Sequence, residues 1–326
     1  MGKKKQTAGG TSTPKKSAKK STDELEKSVA DKFLAASSNT TTEEEITEEP
    51  PESDVLDSTQ IEPGEVFEKV VNVDFWLTNL HSAEIGIYQK ERFMAKNRAF
   101  SRNLELIGAV HEEGKPDGMF GINKDNWYDV PVKELAQKRI VIKWFNMDSV
   151  AHIGTIEEIV LTSLHASIAS NDELPAFKIV IPNFNFLIDL KKEHTRFPKI
   201  GEMFSCSFKD KDGNWHPIIF DEKRITIGSD WDVKIGDGTR IVAKIDEKVL
   251  NVGGKIIVTF LDKDLYKTAP FFKTVILFAM MCNFKKEIIA DIANLRGLVD
   301  AGKVMVNLSP EEEKFFLNPR MLRHKI

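Results

Sequence analysis

Cysteine is almost missing from this chain of 326 residues: Cys206 and Cys282 are the only two, and they form no CxxC pair. Neither a disulfide framework nor a thiolate zinc site is therefore supported, and a reducing, intracellular setting is expected. No GxxxxGK[ST] loop occurs, and Gly236-Asp237-Gly238 lacks the third glycine and the following helix of a dinucleotide fold. His152, His165, His194 and His216 are scattered, and none has an HExxH or comparable ligand spacing, so each reads as a structural or surface histidine. Asp210, Asp212 and Asn214 alternate as in a calcium loop, but Gly213 precedes Asn214 and the apolar Trp215 follows it, which reads instead as a solvated hairpin. Ser205 and Cys206 fall in an expected strand rather than on a strained nucleophile elbow. Without catalytic motifs, an enzyme is not expected, nor is a cofactor, a metal or a small-molecule substrate.

Long apolar runs are missing too. The best candidate, Phe271 to Phe284, holds an uninterrupted apolar run of about eight residues, against the ~20 that a membrane-spanning helix needs. It is expected to be a core helix, with an interfacial helix as the alternative. No apolar segment follows the N-terminal lysines, so no secretory signal is expected, and Gln6 stands where N-myristoylation requires Ser or Thr.

What is present divides the chain. The net charge of −4 conceals a basic start, with Lys3, Lys4, Lys5, Lys15, Lys16, Lys19 and Lys20, and an acidic block after it, with Glu43, Glu44, Glu45, Glu48, Glu49, Glu52 and Asp54. Residues 1–60 carry too little apolar surface to offset the entropy of ordering and are expected to form a disordered tail. Residues 61–270 form the expected β-rich core domain, and residues 271–326 a C-terminal helical segment packed on it.

Within the core domain, Leu80 to Ser101 has a helical composition. Short apolar runs then recur between turn signals: Arg139 to Phe145, Ile153 to Leu164, Phe177 to Asp189, Phe204 to Phe208, Trp215 to Phe220, Arg240 to Ile245 and Lys255 to Leu261. The Asp212-Gly213 step marks a hairpin. A spacing of roughly ten residues per strand argues for a sandwich or barrel over alternating strand and helix units. The expected fold is α+β, with an antiparallel β sandwich or jelly-roll-like core and flanking helices.

Two segments carry a resemblance. His152-Ile153-Gly154-Thr155-Ile156 and Phe177-Lys178-Ile179-Val180-Ile181-Pro182-Asn183-Phe184, followed by Leu187-Ile188-Asp189, are similar to the "hIGxI" and "PNF" strand motifs of the thirty-kilodalton superfamily of plant virus movement proteins. The likeness covers roughly forty residues. It implies a jelly-roll-like core, binding of single-stranded nucleic acid, association with membrane surfaces or plasmodesmal proteins, cell-to-cell transport, and localisation at plasmodesmata or the cell periphery of a host cell; a homo-oligomer is left open, as the sequence does not reveal the oligomeric state. Gly154, Pro182, Asn183, Phe184 and Asp189 would be the family-motif residues. In many members a separate "LxDxR" strand lies between the two motifs, and here about a dozen residues separate them. Read alone, Asp189 is equally a strand-end carboxylate capping a turn.

Lys90, Arg92, Lys96, Arg98 and Arg102, interleaved with Tyr88, Phe93 and Phe100, form a candidate phosphate-tracking helix face; the same pattern also describes a solvated amphipathic face. Two other classes stay open. Lys255 to Leu261 followed by Val275 to Phe284 looks like the end of a tubby-like or scramblase-like lipid-binding barrel, in which a hydrophobic C-terminal helix threads a closed barrel. About forty residues follow here, where such chains stop soon after the helix. A viral structural or single-strand-binding protein on a sandwich or OB-like scaffold is the third class. A helix enclosed by a barrel favours the lipid binder, and a sandwich with exterior helices favours the other two.

Overall fold

Period-two alternation of apolar and polar side chains becomes a β-strand in twelve segments. The structure, a computed structural model, describes residues 67–76, 104–128, 130–194, 201–223, 229–248, 254–306 and 312–313. Its strands are β1 (Lys69–Phe75), β2 (Leu104–Glu112), β3 (Lys115–Asn123), β4 (Val141–Asn146), β5 (His152–Glu158), β6 (Ala176–Val180), β7 (Ile188–Lys192), β8 (Met203–Lys209), β9 (Trp215–Glu222), β10 (Trp231–Ile235), β11 (Arg240–Lys248) and β12 (Lys255–Phe260). Among the described residues the helices are few: α1 (Lys124–Trp127), α2 (Val160–Ser170), α3 (Lys263–Tyr266), α4 (Ala269–Cys282) and α5 (Lys285–Asp300), with a 3-10 turn at Val132–Gln137; the expected helix over Leu80 to Ser101 lies outside them.

Each strand pairs antiparallel with its neighbour in sequence, and β1 closes the ring on β12, with Lys69 opposite Phe260 and Asp74 opposite Lys255. The fold is thus a closed barrel of twelve strands, and the expected sandwich or jelly-roll-like core is incorrect. A jelly roll needs strands that cross between two sheets, whereas here every connection leads to the adjacent strand. Closure also removes the two unpaired edges that an open sheet would expose.

About eight strands make a barrel that its own side chains just fill. Twelve enclose more, and helix α4 occupies the interior. Phe271, Val275, Ile276, Leu277, Phe278, Ala279, Met280 and Met281 are fully buried, and Thr274, which with the half-buried Lys273 interrupts the apolar run, is buried with its hydroxyl donating to the Pro270 carbonyl at 2.6 Å. A helix apolar on all sides requires such an enclosure.

Ring contacts reach the wall in several directions. Phe272 lies 6.1 Å from Trp144 of β4, and Phe278 lies 5.4 Å from Phe204 of β8, 3.8 Å from Phe220 of β9 and 5.2 Å from Trp231 of β10. Phe271 packs on Phe208 and Phe260. The C-terminal apolar segment is therefore the barrel's core, each large side chain contributing about 1.5–3 kcal/mol by leaving water.

Two expected strands divide. Ile153 to Leu164 is β5 followed by α2, whose Val160, Ser163, Leu164 and Ser167 share a buried face. The hydroxyls of Ser163 and Ser167 accept from the amides of Ala176 and Leu174, at 2.9 and 2.8 Å, which stitches α2 to the start of β6. Phe177 to Asp189 is β6, a turn and then β7, because Asn183 takes the left-handed conformation at φ 71°. Asn reaches that region more readily than most residues.

The barrel has two unlike ends. Helices α2 and α5 pack together at the end where α4 leaves, around Val160, Leu164 and Leu295. There Lys285 is nearly buried, paired with Glu202 and Glu222 at 2.7 Å each and set over the Trp231 ring at 4.7 Å. The end where α4 enters, here called the mouth, carries α3 and the loops 113–114, 147–151, 181–187, 210–214 and 236–239.

Candidate functional site

With α4 filling the barrel, a functional surface has to be sought on its wall or its ends. Among the described residues, no three His, Cys, Asp or Glu side chains are grouped to hold a metal ion. Both thiols are buried in the core and their pKa values are raised by that burial, which makes them unreactive.

The family-motif residues do not converge. Gly154 faces inward on β5, where a Cβ would stand 3.0 Å from Leu277 Cδ1, so the missing side chain lets α4 approach the wall. Pro182 and Asn183 make the β6–β7 turn, closed by the Phe184 amide donating to the Ile181 carbonyl at 3.3 Å. Asp189 points outward, exposed, and pairs with Lys178 on the neighbouring strand. Gly154 and Asp189 thus lie on opposite faces of the wall. Lys90, Arg92, Lys96, Arg98 and Arg102 lie outside the described residues.

At the mouth, among loops that also carry Glu113, Asp148, Asp212 and Asp237, the charges of two lysines act on one histidine. Lys273 lies one turn before Leu277 on α4, so the helix face that meets Gly154 also carries Lys273 toward the start of β5. His152 opens β5, and a register shift between Trp144 and Phe145 sets Phe145 opposite it, with the rings 5.7 Å apart. Lys143, on β4, stands opposite Thr155 on the outer face of the wall, since Trp144 and Gly154, their neighbours, face α4.

Neither Lys143 nor Lys273 has an ion-pair partner among the described residues. Glu157, the acid that Lys143 acts on, is already held by Arg139 at 3.0 Å. Lys273 is half-buried, and burial lowers its pKa. Burial also pulls the His152 pKa down to about 4, and the charges of Lys143 and Lys273 push it the same way. His152 is therefore neutral at pH 7. Its Nε2 lies 2.8 Å from the Thr155 hydroxyl, and a hydrogen bond with the Gly154 backbone works in the opposite direction, favouring the protonated ring.

Two lysines that have no ion-pair partner among the described residues, and whose charges both act on a desolvated imidazole, form an arrangement that an anion would complete. A bound anion would offset the repulsion and the desolvation together. The sequence alone marks His152 as structural and does not single out Lys143 or Lys273, because the three are distant in sequence and the charge of Lys273 reaches His152 only when α4 enters the barrel. The signal within reach is Lys273 itself, a lone lysine inside an apolar helix.

No protein-family model matches the chain, and no curated protein sequence or solved structure is significantly similar to it.

Proposed function

We propose that this chain is a non-enzymatic binding protein that docks through the barrel mouth on an anionic membrane surface. The observation that carries the reading is the helix enclosed by a closed barrel, which favours the tubby-like or scramblase-like class over the sandwich classes. Lys143 and Lys273, which have no ion-pair partner among the described residues and whose charges both act on His152, supply a chemistry suited to a phosphate or carboxylate headgroup.

Co-sedimentation with phosphatidylcholine vesicles of increasing phosphatidylserine or phosphoinositide content tests it. Binding should rise with anionic lipid, weaken with salt as exposed ionic contacts are screened, and fall at least several-fold in the Lys143→Ala, Lys273→Gln double variant. Binding that ignores both anionic content and the double substitution refutes the headgroup site.

The second reading is cell-to-cell transport of single-stranded nucleic acid by a movement protein. The two motif-bearing segments favour it, and they lie on the paired strands β5 and β6 and the turn that follows. A fluorescent fusion in leaf epidermis should then mark the cell wall in puncta and spread to neighbouring cells. Diffuse retention in single cells counts against it.

A further inference from the structure

One feature of the mouth plays no part in the headgroup site. Phe184 and Phe186, in the β6–β7 loop, stand ring to ring at 5.9 Å, and Phe186 meets Trp215 at 5.8 Å. Trp215, the first residue of β9, is 58% exposed, while Trp76, Trp127, Trp144 and Trp231 are all buried. The three rings form a ridge across two neighbouring loops. Its inner members pack on the barrel core, and its outer member faces solvent.

The ridge stands on fixed backbone. Asn183 and the bond from the Phe184 amide to Ile181 set one loop. In the other, the Asp210 amide donates to the Asn214 carbonyl at 3.0 Å, and the Asp210 carboxylate accepts from the Asn214 amide at 2.8 Å and faces His216 Nε2 at 2.7 Å. The His216 ring stacks on Phe208, which packs against Phe271 of α4, so this hairpin belongs to the same end as Lys273.

Cations flank the rings. Lys209 Nζ lies 5.9 Å from the Trp215 ring, and Lys211 is exposed at the hairpin tip. Of the nearby acids, Asp210 is engaged with His216 and Asn214, and Asp212 is exposed beside Lys211. An indole with an apolar body and a polar N–H, flanked by lysines that can extend toward phosphates, has the chemistry of the bilayer interface. β5 and β6 pair with Thr155 opposite Val180, which places the β6–β7 loop of the ridge next to the start of β5 and its His152 along the rim.

Resting on the membrane-docking reading above, we infer that Phe186 and Trp215 enter the interfacial layer of a phospholipid bilayer while Lys209 and Lys211 meet its phosphates. The lysine pair of the headgroup site selects anionic lipid, and the ridge supplies the apolar part of the attachment.

Trp215 is a built-in probe, since acrylamide reaches it far more readily than the four buried indoles. The full chain is mixed with phosphatidylcholine vesicles with and without phosphatidylserine. Protection of the quenchable emission from acrylamide, a blue shift, and quenching by brominated lipid are expected on binding. Trp215→Ala should abolish the three signals, and Trp215→Ala or Phe186→Ala should weaken partitioning about tenfold, the equivalent of about 1.4 kcal/mol. Both residues are at least partly exposed, and near-UV circular dichroism confirms that the variants fold.

If the protein sediments with anionic vesicles while Trp215 stays fully quenchable, the ridge proposal is overturned and the headgroup site stands. If Trp215 is protected equally on neutral vesicles and in the Lys143→Ala, Lys273→Gln variant, the ridge is upheld and the headgroup site fails. If vesicles of neither kind bind, both are overturned.

Discussion

Substituting Gly154 by alanine tests the threading of α4 directly. The added Cβ would stand 3.0 Å from Leu277 Cδ1 and 3.5 Å from the Val180 carbonyl oxygen. Carbon atoms prefer about 3.5–4.0 Å, so Leu277 must retreat by roughly half an ångström. It has little room, because Phe278 beside it stacks at 3.8 Å on Phe220 across the interior. Overpacking of this kind costs about 1–3 kcal/mol, and replacing glycine by alanine returns about 0.4–1 kcal/mol by restricting the unfolded chain. Gly154→Ala should therefore destabilise by about 1 kcal/mol. Leu277→Ala alone should cost about 2–5 kcal/mol, from lost transfer energy and the cavity left behind.

In the double variant the new methyl enters space that Leu277 vacates, so its cost should fall below the sum of the single ones by about 1–2 kcal/mol. Urea unfolding followed by tryptophan emission gives all four corners of the cycle. Trp144 and Trp231 report on the interior, lying 6.1 Å from Phe272 and 5.2 Å from Phe278. Additivity within about 0.5 kcal/mol would refute the reasoning, since it would mean that α4 does not pass against β5 at this point.

Other expectations follow from the same structure. Anionic vesicles or a soluble phosphomonoester should raise the His152 pKa from about 4 toward the ordinary range, measured by NMR titration of the ring; an unmoved titration curve removes His152 from the site. Glu158 is fully buried, its carboxylate accepting from the Ile140 amide at 3.3 Å, and burial first, then Asp291 and Glu312, pushes its pKa up to about 8. The folded state thus holds a proton that the unfolded chain releases near pH 4.5. Its contribution is full below that pH and is lost as the pH rises toward 8, with a slope of at most about 1.4 kcal/mol per pH unit. Glu158→Gln should flatten that loss, and a wild-type slope retained in the variant contradicts the assignment. Deleting residues 1–60 should leave the melting temperature within error, because the segment has little apolar surface to bury; a large drop would make it part of the fold.

Several parts of the architecture are legible in the sequence. The alternation of Phe204, Cys206 and Phe208 against Ser205 and Ser207 specifies a strand with one buried face, and it forms β8 with that pattern. The Asp212-Gly213 step supplies the turn that joins it to β9. The stretch after Glu158 is less legible. Ile159 to Leu164 is rich in large aliphatic residues, and a short run of that kind reads equally as strand or helix. The deciding partners, Ser163 and Ser167, are polar, and their helical role appears only when their hydroxyls meet Leu174 and Ala176. The motif residues fail as a set for a related reason: Gly154 and Asp189 belong to neighbouring motifs, and strand pleating sends them to opposite faces.

By itself the sequence determined local period: half-buried strands, their turns, and a helix apolar on every side that had to be enclosed by something. Only the tertiary structure decided what encloses it. Period-two alternation is the same in a sandwich and in a barrel, because both bury one face of each strand. The difference rests on the pairing of Lys69 to Asp74 with Lys255 to Phe260, between the first strand and the last, which no local pattern encodes. That pairing creates an interior too wide for wall side chains to fill. α4 fills it, and in doing so brings the charge of Lys273 to bear on His152 at the mouth.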